Sequence, residues 1–214
     1  FWPILRMAWV GGNSLLKFVD LHHSDGAAMR RLAERYLTMS QALHKCGVAH
    51  GDLQGANMNI EGSGNGLEIK LIDYDTLIIP AYHGKPAQAI ALPSYQHPNR
   101  RKARLYTGKE DYFSELVIYL SLLAVAEKPS LWRKYPKGGP ELAEKDRHDK
   151  DMLFVVEDFT SAKPTEVFKE LYGLSPVVKR LTLILWNYTR APSIEQLLPL
   201  EEVVKLAKNA ETLP

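Results

Sequence analysis

The sequence predicts an α+β fold, mostly α-helical, from three observations. Met29, Leu32, Ala33, Tyr36, Leu37, Ser40 and Leu43 recur at the spacing of an amphipathic helix. Phe113 to Ala126 is apolar apart from Glu115 and a few small or hydroxyl side chains, the composition of a helix buried on nearly all sides. Asn57–Glu61 and Leu67–Ile72 flank Gly62-Ser63-Gly64-Asn65-Gly66, which reads as two short strands joined by a glycine turn.

In chain order, Ile4–Val10 reads as an apolar strand ending at Gly11-Gly12, and Leu15–Leu21 as a short helix. The amphipathic helix follows the polar stretch His22 to Gly26, and Gly47 is placed to terminate it. After the hairpin, Pro80–Tyr106 is rich in proline and glycine with little periodicity, and a loop of that length inside a compact domain is usually functional. Thr107-Gly108-Lys109-Glu110 has the form of a capping box ahead of the apolar helix, which starts near Asp111. Lys134–Asp151 is polar, with Gly138-Gly139-Pro140 and dense mixed charge, and reads as a solvated surface excursion. From Glu166 onward the pattern is helical, ending in an amphipathic tail, Leu200–Ala207.

The 214 residues hold 27 Lys+Arg against 25 Asp+Glu, a formal charge of +2, and are 45% hydrophobic. This balance argues against a surface built as a whole for nucleic acid or anionic lipid, so neither is expected as a partner. Phe113–Ala126 falls short of the ~20 residues needed to cross a bilayer, and no secretion signal stands at the start. Cys46 is the single cysteine, which suits a reducing, cytoplasmic setting. Near the C-terminal end of its helix it lacks the dipole that would activate a thiol, and it is expected to be buried and inert. His22, His23, His44 and His97 have no zinc-ligand spacing. The glycine turn matches neither dinucleotide nor phosphate-loop spacing and lacks the lysine of a phosphate loop, so it is expected to be only a hairpin.

The informative stretch is His50-Gly51-Asp52-Leu53-Gln54-Gly55-Ala56-Asn57, followed by Asp73-Tyr74-Asp75 after the hairpin. A loop between helix and strand presents a carboxylate and an amide, and the hairpin returns a second carboxylate toward them. Phosphoryl transfer needs such a set. One carboxylate orients and deprotonates the attacking hydroxyl, while a carboxylate and an amide oxygen hold magnesium, which accepts few protein ligands.

HGDLQGAN is similar to the HRDLKxxN catalytic loop of protein kinases, and Asp73-Tyr74-Asp75 stands where that family has DFG. Pro93-Ser94-Tyr95-Gln96-His97-Pro98-Asn99 resembles the segment that closes the activation loop. Asp111-Tyr112-Phe113-Ser114 resembles the start of the buried central helix, whose Asp braces the catalytic loop, and Arg190-Ala191-Pro192-Ser193 the late Arg that supports that loop. By order and spacing, nearly the whole chain resembles the C-terminal lobe of the bacterial eukaryotic-like Ser/Thr protein kinases. The resemblance implies an ATP- and Mg2+-dependent transfer to a protein Ser or Thr hydroxyl. Asp52 would be the catalytic base, Asn57 and Asp73 the magnesium ligands, and Gln54 would hold the place of the lysine that stabilises the transferring phosphate. Residues 1–12 would be the last N-lobe strand and hinge, with Met7 as gatekeeper, the backbone of Ala8 and Val10 pairing with adenine, and Asn59 flooring it. Residues 13–214 would be the C-lobe, and His50 would pack beneath Tyr74.

Departures from the pattern qualify this. Gly51 replaces the Arg that binds a phosphorylated activation loop, Gln54 is neutral, Asp75 replaces the DFG glycine, and Asn99 replaces the Glu that would pair with Arg190. No glycine-rich loop, ATP-contacting Lys or helix-borne Glu partner occurs. The expectation is therefore a fragment, inactive alone, whose N-lobe lies upstream or is supplied in trans. Two other classes stay open: a pseudokinase scaffold, and a small-molecule phosphotransferase of the aminoglycoside or choline kinase type. Arg100, Arg101, Lys102 and Arg104 form a basic patch, expected in a solvated loop that would lie beside a kinase's substrate groove and suit an acidic peptide.

Overall fold

A computed structural model of the chain describes residues 9–87, 91–100, 105–135 and 151–209. The expected strand Ile4–Val10 lies largely outside them, as do Met7 and Ala8, the basic residues Arg101, Lys102 and Arg104, and most of the Lys134–Asp151 excursion.

The sheet has three antiparallel strands: β1 (Asn13–Ser14), β2 (Met58–Glu61) and β3 (Glu68–Leu71). Met58 opposes Leu71 and Glu61 opposes Glu68, which gives the expected hairpin, while Asn13 and Ser14 pair with Ile60 and Asn59 and add an edge that the sequence did not announce. Two residues are too few to display an alternating pattern.

Eight helices appear among the described residues: α1 (Leu15–His22), α2 (Gly26–Cys46), α3 (Tyr112–Glu127), α4 (Leu131–Lys134), α5 (Val156–Thr160), α6 (Glu166–Tyr172), α7 (Pro176–Tyr188) and α8 (Leu200–Lys208). In α2 the expected stripe faces inward, with Met29, Leu32, Ala33, Tyr36 and Ser40 buried. Asp25 caps it, its carboxylate accepting from the Ala27 and Ala28 N–H at 2.9 Å each. At the other end Gly47 adopts φ 65°, ψ 28°, the left-handed conformation a side chain resists. Cys46 is exposed rather than buried, because the last turn of α2 runs past the core and leaves Lys45 and Cys46 in solvent.

Helix α3 is the centre of the molecule, buried along almost its whole length and packed against α2, α7 and α8. One continuous core joins it to α1, the sheet and the C-terminal helices. The Thr107 and Glu110 bonds form, with the Thr107 N–H donating to Glu110 Oε1 at 2.8 Å, but they close a turn ahead of the helix rather than its first turn. The N-cap is Asp111, whose carboxylate is directed elsewhere. No helix among the described residues is long and apolar enough to cross a membrane.

Candidate active site

Beyond Gly47, Ala49 pairs with Ile78 through two backbone hydrogen bonds of 3.0 and 2.8 Å. This antiparallel bridge stitches the segment after Asp73 to the 50–57 loop, and Thr76 Oγ1 reinforces it by donating to the His50 carbonyl at 2.9 Å. His50 is buried, its Nε2 donating to the Ile72 carbonyl at 2.9 Å with its ring 5.7 Å from that of Tyr74, so it packs as expected.

The loop's backbone is held by Asp111. The His50 N–H donates to Asp111 Oδ2, and the Gly51 N–H to Oδ1 at 2.9 Å. Burial raises the Asp111 carboxyl to about 7, helped by Glu115 one turn along α3 and opposed by the two amides. The expected brace is thus present in the geometry, supplied from the N-cap of the central helix.

Within the loop, Gln54 Nε2 donates to Asp52 Oδ2 at 2.8 Å, and Asn57 Nδ2 donates to the same oxygen at 3.1 Å and to the Asp52 carbonyl at 2.9 Å. Asp52 Oδ1 is buried and has no hydrogen-bond partner. One oxygen of the carboxylate is therefore fixed by two amides while the other keeps its acceptor capacity. Tyr95, from the segment after the long loop, is fully buried beside this loop and hydrogen-bonds to the Gly55 backbone; burial first, then the charges of Asp151 and Asp52, hold its phenol well above the usual range.

Asp73 reaches the same region through the hairpin. The Ile72 N–H donates to the Asn57 carbonyl at 3.0 Å, so the residue after Ile72 emerges beside Asn57. Asp73 is exposed and has φ 64°, ψ 69°, the one non-glycine residue with positive φ among those described. No group of three or more His, Cys, Asp or Glu side chains suited to a metal occurs among the described residues. A magnesium ion would instead draw on Asp73 and Asn57. The Asn57 amide nitrogen is committed to Asp52, which leaves its Oδ1 as the donor atom, and one carboxylate with one carbonyl-type oxygen is a hard-cation set that magnesium accepts beside phosphate oxygens.

Of the other expected residues, Asn59 donates to the carbonyls of Gly11 at 3.1 Å and Val10 at 3.5 Å, tying the 10–12 segment to β2. Asn99 donates to the Ala191 carbonyl at 3.0 Å, next to Arg190. Arg190 itself does not support the loop: it stacks on Trp186 at 3.2 Å and bonds Thr189 and the Ser161 carbonyl. The indole face and an unpaired carbonyl are nearer partners than a loop already held by Asp111. Arg100 is also not solvated; it is 4% exposed and lies 3.8 Å from Glu110.

A group that the sequence reading passed over joins three helices. His44 of α2 bonds Glu115 of α3 at 2.9 Å and Glu201 of α8 at 2.8 Å. Burial opposes the imidazolium, but the two carboxylates outweigh it and raise His44 to about 9. The available signal was Glu115 itself, since a carboxylate inside an otherwise apolar helix needs a partner.

No protein-family model matches the chain, and no curated protein matches it. Among solved structures it is similar to the kinase PK-1 of the Cydia pomonella granulovirus, at 18% identity and a TM-score of 0.56 over 92% of this chain. The chain spans 65% of that kinase's length. The fold is kinase-like.

Proposed function

We propose that the chain is the C-terminal lobe of an ATP- and Mg2+-dependent phosphotransferase of the bacterial eukaryotic-like Ser/Thr protein kinase type, acting on a Ser or Thr hydroxyl of a protein. The observation that carries this reading is the divided carboxylate of Asp52, one oxygen pinned by Gln54 and Asn57 and the other buried without a partner. On this reading the Asp52 carboxylate accepts the hydrogen bond of the substrate hydroxyl, orients its lone pair toward the γ-phosphorus and takes the proton as the new O–P bond forms and the bond from the γ-phosphorus to the β,γ-bridging oxygen breaks, releasing ADP. Magnesium, when bound, neutralises phosphate charge, and Asn57 Oδ1 with the Asp73 carboxylate would hold it. Gln54, which brings no positive charge, works on Asp52 instead by fixing the orientation of its carboxylate. The glycine-rich loop and ATP lysine have no counterpart in the chain, so the reading assigns them to an N-lobe supplied upstream or in trans. Met7, Ala8 and Val10 would then form the hinge against adenine, and a cytoplasmic setting supplies both ATP and the reduced Cys46.

The test is transfer of labelled phosphate from ATP to Ser/Thr peptides by the full-length product. Asp52→Asn and Asp73→Ala are each expected to lower kcat by about 10²-fold or more. The neutral Gln54 favours a second reading, a pseudokinase scaffold, which turnover would exclude; transfer to small alcohols instead of peptides would assign the small-molecule class.

A further inference from the structure

The glycine turn, set aside as a phosphate loop, faces a cleft of about 230 Å3 lined by Arg31, Glu34, Arg35 and Thr38 of α2 and by Gly64 and Asn65. The four helix residues stand at i, i+3, i+4 and i+7, one face of α2 adjoining its buried stripe. Arg35 Nη2 donates to the Asn65 carbonyl at 2.5 Å, fixing one wall against the other. Arg31 Nε is buried and has no hydrogen-bond partner.

Two guanidinium groups one turn apart repel each other, and a buried donor without an acceptor is costly. Neither problem is solved among the described residues. Glu34 makes no ion pair with either arginine; burial, and then the charge of Glu34, raise the Tyr119 phenol, and Asp25 feels the charge of Arg31 without an ion pair to it. The Thr38 hydroxyl donates to the Glu34 carbonyl and keeps its lone pairs. Glu34 lines the cleft but pairs with neither arginine, so the buried Arg31 Nε still lacks an acceptor.

We propose that the cleft between α2 and the 62–66 turn binds a phosphate group, with Arg31 as its principal ligand and Arg35 as a second cation. Planar guanidinium donors match phosphate oxygens in pairs, and the volume admits one such group with its waters. The site lies at the turn end of the β2–β3 hairpin, whose opposite end carries Asn57 and Asp73, so it is separate from the candidate active site and stands whether or not that site transfers phosphate.

The probes are inorganic phosphate and a phosphoserine peptide with its unphosphorylated form, titrated into the full chain by calorimetry and by chemical-shift mapping. Saturable binding of phosphate or phosphopeptide is expected, weakened roughly tenfold or more by Arg31→Gln and unchanged by Arg30→Gln, an exposed neighbour outside the cleft. Thr38→Glu, at an exposed position where folding is undisturbed, should weaken it as well by placing a carboxylate at the mouth. Tighter binding of the phosphopeptide than of free phosphate assigns the group to a phosphorylated side chain, and equal binding to the free ion. Absence of binding by both probes, or binding indifferent to both Arg31→Gln and Thr38→Glu, overturns the proposal.

Discussion

Gly51 shows how one backbone angle decides what a loop can carry. It sits at φ 82°, and a Cβ there would run into the Thr76 carbonyl oxygen. The arginine of the kinase pattern therefore has no room at this position while Thr76 remains bonded to His50. Gly51→Ala is expected to destabilise the protein by about 2 kcal/mol, measured as a lower urea midpoint. An unchanged midpoint would mean that the loop and the Thr76 segment separate easily. The candidate residues were legible because their types and spacing are distinctive: Asp52 and Asn57 share a hydrogen bond within one loop, and the hairpin that the sequence announces returns Ile72, next to Asp73, onto the Asn57 carbonyl. Arg190 was misplaced for the opposite reason. Its partners, Trp186 and the Ser161 carbonyl, are set by tertiary geometry, and a short motif holds no record of them.

At the scale of elements, α2 and α3 were readable from periodicity and composition, with Gly47 marking a boundary within a residue. The cross-links between them were not, because side chains that meet across helices leave no regular spacing. His44 is the clearest case. Its pKa in the folded chain is raised to about 9 from an ordinary 6.5, with Glu115 and Glu201 as its partners and the Tyr112 ring edge-on at 5.0 Å. A raised value means that the folded state binds the proton more tightly than the unfolded one. The stabilisation is therefore complete below about pH 6.5 and is lost as pH rises through about 9. Denaturation midpoints are expected to fall across this window in the native protein and to fall much less in His44→Gln. Asp111, also raised, acts in the same direction but at lower pH, losing its part by about pH 7, so the two are separable in the same titration. A midpoint flat from pH 6.5 to 9.5 would show that the α2–α3–α8 tie carries no charge.

At the scale of the whole molecule, the central helix organises everything else. Leu120 is fully buried at the middle of α3, in the core that reaches from Leu15 to Ala207. Leu120→Ala is expected to cost about 2–5 kcal/mol. Tryptophan fluorescence and far-UV circular dichroism should register the loss at the same midpoint, since the trytophan-bearing helices and the sheet share that core. Two separate midpoints would show that the sheet end and the helical end hold together independently. This level was legible as a class, helical with a small sheet, and the likeness to a solved kinase agrees with it. The edge strand at Asn13–Ser14 and the exposure of Cys46 were not, since they depend on where the core ends.

The carboxylate that shapes the candidate loop caps the same rod that forms the middle of the hydrophobic interior. Scaffold and chemistry thus have no separate lifetimes. Loosening of that interior is expected to release the His50 and Gly51 amides together, and with them the loop that carries Asp52.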